Sequence, residues 1–270
     1  MFRTRLISGI ILVILALVFI IIGGPLLWAV SLAISLMGLM ELYRVFQIHK
    51  TMLGVLGYIL VAFYYVLLLG ENMGKLHING MLYLMIVMMT FLLTMVWKYP
   101  RYHSNQVMQA VFGIFYVGVM FSFLYQTRML VNGTYTVWLI FISSWGCDTC
   151  AYCVGKLIGK HKMSPVLSPK KSVEGAIGGV LGTMLLTYIY ASVFSAQMGI
   201  TQTNVWMLSL ISAVGALISM VGDLTASAMK RNYDVKDYGK LIPGHGGILD
   251  RFDSVIFTAP VIYFMAYYFV

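Results

Sequence analysis

Residues 243–270 read PGHGGILDRFDSVIFTAPVIYFMAYYFV. Three charges, Asp250, Arg251 and Asp253, crowd behind a glycine-rich turn, and everything after Ser254 is uncharged and largely apolar. Such a run suits the apolar core of a bilayer, about 30 Å thick, which a helix of about 20 residues crosses. The same pattern recurs upstream. The chain has 270 residues, of which 60% are hydrophobic and only 10% charged, against roughly 25% charged in an ordinary soluble domain. The runs are too long and too continuous for barrel strands, which alternate apolar and polar residues. The expected fold class is therefore all-α, a polytopic transmembrane helix bundle.

Nine apolar segments emerge, near 6–22, 25–43, 52–70, 79–97, 107–126, 135–154, 175–196, 204–227 and 254–270. The first resembles a signal peptide in its basic start. GGP and a second apolar run follow it directly with no small-residue cleavage site, so it reads as an uncleaved span. With a cytoplasmic N-terminus and nine crossings, all of the 18 basic residues except Lys75 and Arg128 fall on the cytoplasmic side. The positive-inside rule favours this arrangement and an outside C-terminus. It also accounts for the net charge of +9 without nucleic acid, for which the chain carries no motif. Residues 1–130 read as N-terminal spans. Residues 131–270 read as a catalytic membrane region with two long cytoplasmic loops, 155–174 and 228–253.

Seven of the nine acidic residues lie in the second half. Glu41 and Glu71 read as ordinary residues at span ends. Asp148 and Asp223 sit inside apolar runs, and Asp250 and Asp253 open the last one. Carboxylates there are costly and face a polar cavity, a partner or an ion. Asp250 and Asp253 share a face if the helix has begun by then. One reading is a hard divalent cation such as magnesium. The other is a structural network with Arg251, Lys230 and Arg231. The loop GKLIGKHKMSPVLSPKKSVEG carries Lys156, Lys160, Lys162, Lys170 and Lys171 before its first acid, Glu174, and so is suited to anions. Gly244, Gly246 and Gly247 allow positive φ and a close approach of backbone amides to phosphate, and His245 reads either as a phosphate contact or as a turn residue. Gly175, Gly178, Gly179 and Gly182 form overlapping G-x-x-x-G spacings for close helix packing within the bundle. Cys147, Cys150 and Cys153 read as small residues of one helix; the iron–sulfur alternative has no fourth ligand nearby.

From Ser227 to Asp253 the run SAMKRNYDVKDYGKLIPGHGGILDRFD resembles the signature of phosphatidate cytidylyltransferases, the CDP-diacylglycerol synthases. The matching positions are Ser227, Lys230-Arg231, Lys236-Asp237, Pro243, His245-Gly246-Gly247, Asp250-Arg251 and Asp253. The block CDTCAYCVGKLIGKHKMSPVLSPKKSVEG is also similar to the family, with Ser172 where threonine is expected. The resemblance implies transfer of a cytidylyl group from CTP to phosphatidate, a homodimer among membrane lipids, and a bacterial inner membrane with the site facing the cytoplasm. It implies magnesium, with one cation or two. It places Asp223, Asp250 and Asp253 at the metal and nucleotide site. On that basis Asp223 and Asp250 are expected to ligate metal, with Asp253 and Asp148 beside them. Ser168, Lys170, Lys171, Lys230, Arg231, His245, Gly246 and Gly247 are expected to bind substrate. Lys171 and Arg251 are expected to act on the phosphates with the acids. The rivals are a transporter, whose polar residues should run through the bilayer, and a cytidylyltransferase for another lipid phosphate.

Overall fold

Every expected span is helical in the computed structural model, which describes residues 2–77, 79–244 and 246–269, with side chains from 9 to 268. His245 lies outside the described residues. By length and composition seven helical stretches are able to cross a membrane: 24–45, 52–72, 80–97, 104–129, 133–158, 173–193 and 202–232. The first and last expected spans are helices too, Phe2–Ile22 and Leu249–Phe269, but they are not among the seven. The chain divides into two compact units, one of Met1–Ser122 with Val235–Arg251, the other of Phe123–Asp234 with Phe252–Val270.

The first unit holds α1 (Phe2–Ile22), α2 (Gly24–Val45), α3 (Met52–Asn72), α4 (Gly80–Trp97) and α5 (Ser104–Gly113). A π-helical turn, Ile114–Val119, continues α5 into α6 (Met120–Met129), most of which belongs to the second unit. Local chemistry sets the starts. Pro25 opens α2, the Thr51 hydroxyl accepts the Gly54 amide ahead of α3, and Asn79 accepts the Met81 and Leu82 amides ahead of α4. Tyr43 organises the core. Its ring passes between Gly57 and Gly113, where any Cβ would overlap it, and its hydroxyl donates to the Ala110 carbonyl at 2.6 Å. Ser35 and Tyr65 share a hydrogen bond of 2.7 Å, and the Trp28 indole donates to the Tyr65 carbonyl. Apolar side chains such as Ile59, Met81, Leu93 and Val96 stay exposed, as a lipid-facing surface requires.

The second unit holds α7 (Gly133–Phe141), a π-helical turn at Ile142–Gly146, and α8 (Cys147–Ile158), which together form one span. The strands β1 (Lys162–Ser164) and β2 (Ser168–Ser172) follow, then α9 (Val173–Val193), a short α10 (Ser195–Met198), α11 (Gln202–Asn232) and α12 (Leu249–Phe269). The loop expected at 155–174 is thus largely ordered, with β1 and β2 pairing antiparallel. Likewise α11 continues five residues past its expected end, so Lys230 and Arg231 sit in its last turn. Cations there complement the helix dipole.

The four glycines of α9 all face α8. A Cβ on Gly178 would come within 2.5 Å of the Val154 side chain, and one on Gly182 within 2.6 Å of Cys150 Sγ. Gly179 meets Ala151 and Cys147, and Gly175 meets the Ala151 carbonyl. The glycine spacing therefore serves packing between two helices of the bundle, and Cys147 and Cys150 are its knobs. Gly178→Ala is expected to cost about 1–3 kcal/mol through overpacking, read as a lowered Tm in detergent. Ile177→Ala, on the exposed face of the same helix, should leave Tm nearly unchanged.

Candidate active site

The α8–α9 seam opens at one end into a cavity of about 500 Å³. Asp148, Tyr152 and Lys156 line it from α8, Ser168, Lys170 and Lys171 from β2, and Asp223 from α11. Met220 and Ala176 close part of its wall and pack with Cys147 and Ala216. Polar and apolar residues thus share one concave surface, as suits a ligand with a charged head.

Each polar group is carried there for a local reason. The π turn inserts an extra residue into the span just before Asp148 and resets which face the following helix presents. The hairpin raises Lys170 and Lys171 on a strand instead of a free loop. Its base is fixed to α9 through Glu174, whose carboxylate accepts the Lys160 amide at 3.1 Å and the His161 amide at 3.2 Å and pairs with His161 Nδ1 at 2.6 Å. Ser172 caps α9 by accepting the Gly175 amide at 3.1 Å. Gly155, Gly159 and Gly175 surround its hydroxyl, and a Cβ on any of them would come within 3 Å of that oxygen. This explains several of the glycines in the motif: they make room for the cap. Ser172→Ala should cost about 1 kcal/mol and lower Tm, while leaving the lysines of β2 in the chain.

The central contact is the ion pair between Lys171 Nζ and Asp223 Oδ2. Both side chains keep over a quarter of their surface exposed, 27% and 29%, so the pair is open to the cavity. Asp253, one turn into α12, is nearly buried and lies in the electrostatic field of Asp223, Lys230 and Asp148. Helices α11 and α12 touch here: a Cβ on Gly222 would come 3.0 Å from the Asp253 carbonyl. The expected residues Asp148, Ser168, Lys170, Lys171, Asp223 and Asp253 are therefore neighbours in one unit, with Lys230 within charge reach. Arg231 is exposed at the end of α11.

Asp250 and the glycine turn belong to the first unit. Helix α12 begins at Leu249, so Asp250, Arg251 and Asp253 are helical and Asp250 is buried. Asp250 Oδ2 accepts the Tyr238 amide at 2.8 Å and the Gly247 amide at 2.9 Å. Gly246 has φ +85° and lies against the same oxygen, where a Cβ would sit 2.8 Å away. The Gly247 amide is thus directed at Asp250 itself.

Two further residues line the cavity that were not among the expected substrate-binding set: Lys156, read only as one of the anion-suited lysines, and Tyr152, whose ring centroid lies 6.0 Å from the Lys156 ammonium. Glu41, read from the sequence as an ordinary span-end residue, is instead buried and reaches the glycine turn. The family-like block does contain Tyr152 and Lys156; nothing in the sequence around Glu41 signals its role.

Compared with known proteins, the chain shows similarity over nearly its whole length. The model of the cytidylyltransferase family matches residues 3–269. The phosphatidate cytidylyltransferase of Staphylococcus epidermidis is 31% identical over 264 residues, covering 96% of this chain and 97% of that one. Those of Staphylococcus haemolyticus and Staphylococcus aureus are 32% and 31% identical over 261 and 266 residues, with the same coverage of both chains. A match of this length makes this chain a member of the cytidylyltransferase family.

Proposed function

We infer that this chain transfers the cytidylyl group of CTP to phosphatidate, giving CDP-diacylglycerol and pyrophosphate. The observation that carries the reading is the cavity itself. It sets three lysines, Lys156, Lys170 and Lys171, beside Asp148 and Asp223 at the end of spanning helices. A polyphosphate with a divalent ion needs such a mixture of charges, and a lipid phosphate needs its place at the edge of the bilayer.

A phosphate oxygen of phosphatidate attacks the α-phosphorus of CTP. The new P–O bond forms as the bond to the β-phosphate bridging oxygen breaks, and that electron pair leaves with pyrophosphate. A phosphate monoester is already largely ionised at pH 7, so the site needs no dedicated base. The barrier lies in bringing two anions together, which positioning and positive charge lower. Lys170 and Lys171 neutralise phosphate oxygens, and Ser168 donates a hydrogen bond beside them. Lys171 balances Asp223 until a phosphate takes the ammonium over.

Magnesium fits the donor set. Among the described residues no three His, Cys, Asp or Glu side chains form a ready metal group. With a nucleotide, however, magnesium is held by one or two carboxylates and phosphate oxygens. Asp223 and Asp250 would hold it, with Asp253 and Asp148 beside them, and when bound it supplies positive charge to the phosphates.

The charge asymmetry supports nine spans, with the N-terminus and the cavity on the cytoplasmic side of a bacterial cell membrane and the C-terminus outside. The family resemblance implies a homodimer. The test of function is pyrophosphate release by purified protein in detergent. It should require both CTP and phosphatidate and fall away when ATP replaces CTP; release without phosphatidate, or with ATP as fast as with CTP, would refute the reading.

A further inference from the structure

Glu41 lies on α2, in the part of the chain with no motif, yet it is only 3% exposed. Both oxygens of its carboxylate are used: Oε1 accepts the Ile248 amide at 3.1 Å and Oε2 the Leu249 amide at 2.9 Å. These are donors at the start of α12, where the first amides of a helix have no partner of their own. A carboxylate there satisfies them and suits the positive end of the helix dipole. The surroundings are shaped for it, since a Cβ on Gly239 or on Gly247 would overlap the Glu41 carboxylate. Two carboxylates thus fix the segment from Tyr238 to Asp250: Asp250 from within, through the Tyr238 and Gly247 amides, and Glu41 from α2.

We propose that Glu41 is a positioning residue for cytidylyl transfer, clamping the glycine turn and the first turn of α12 so that Asp250 is presented in one fixed orientation. The proposal rests on the reaction inferred above. Its logic is the cost of an unpaired buried group. Without Glu41 the buried Leu249 amide and the partly buried Ile248 amide lose their acceptor, and the turn shifts to find water. Glu41→Gln keeps the shape and one acceptor but turns an NH₂ group toward an N–H donor. Glu41→Ala removes both acceptors.

Two measurements separate the clamp from the reaction. Hydrogen exchange in detergent reads the amides of Ile248 and Leu249 directly, with no reference to activity. Exchange there should quicken by about tenfold or more in Glu41→Ala, and less in Glu41→Gln, while α3 and α4 exchange at the wild-type rate. Unchanged exchange at 248–249 overturns the clamp. Steady-state kinetics then read its purpose. The kcat should fall about tenfold in Glu41→Gln and further in Glu41→Ala, with the KM for phosphatidate within about twofold of wild type. Wild-type kcat in a variant whose turn has loosened overturns the positioning role. Should Glu41→Ala fail to fold, Glu41→Gln carries both readings. A double-mutant cycle adds a third. Gly239→Ala should slow the enzyme alone but do little further harm in the Glu41→Ala background, since the overlap is then gone; additive losses contradict the packing argument. If the wild-type protein releases no pyrophosphate from CTP and phosphatidate, the reaction falls, and the exchange result stands or falls separately.

Discussion

Asp223→Asn is expected to lower CTP-dependent pyrophosphate release by about 100-fold or more while the protein stays folded. The substitution keeps the shape of the side chain and removes its charge. Asp223 is paired with Lys171 and opens to the cavity, so an amide there cannot balance the ammonium or ligate a cation as a carboxylate does. Losses of that order accompany removal of a single group that stabilises developing charge. Because the side chain is partly exposed, solvent offsets much of the structural cost, and Tm should change little. Raising the magnesium concentration should recover part of the lost rate if Asp223 holds the ion. A variant with near-normal turnover would remove Asp223 from the site.

The second large effect is expected at Lys171. Lys171→Ala removes a charge that lines the cavity and leaves Asp223 without this ion pair. We expect a fall of about 100-fold in kcat/KM. Lys171→Arg should retain more activity, because it keeps the charge, yet not all of it: a planar guanidinium does not replace a compact ammonium in a fitted contact. The two losses should not add. Once Asp223 is Asn, Lys171 has no carboxylate to balance, so the double variant Asp223→Asn with Lys171→Ala should lose less than the product of the single losses. Full additivity would mean that the ion pair has no part in the cycle.

The two predictions differ in how far the sequence announced them. Asp223 stands out as a charge within an apolar run, and that cost alone marks it. Its pairing with Lys171 is not visible, because the two are 52 residues apart and the lysine has equal claim to be a topology signal. The spans were readable for the same reason as Asp223: long apolar runs have only one stable form in a bilayer. Their ends were less so. Lys230 and Arg231 look like loop residues by charge, whereas helix-forming neighbours and the dipole keep them in α11. The hairpin at Lys162–Ser172 hid behind two prolines and three lysines, a composition that argues against strand; an edge pair of such short strands tolerates it. Glu41 was the least legible. Its partners lie 207 and 208 residues away, and only folding reveals that a carboxylate at the end of one span completes the start of another.

The most direct test of the account follows the cytidylyl group itself. Purified protein in detergent is given phosphatidate, magnesium and CTP labelled at the α-phosphate, and the organic-soluble product is counted beside the same reaction with γ-labelled CTP. The α-label is expected to enter the lipid in equal amount to the pyrophosphate released, the γ-label never to do so, and Asp223→Asn to suppress both transfer and release. Label from the γ-position in the lipid, or pyrophosphate release with no α-label transferred, would contradict this expectation.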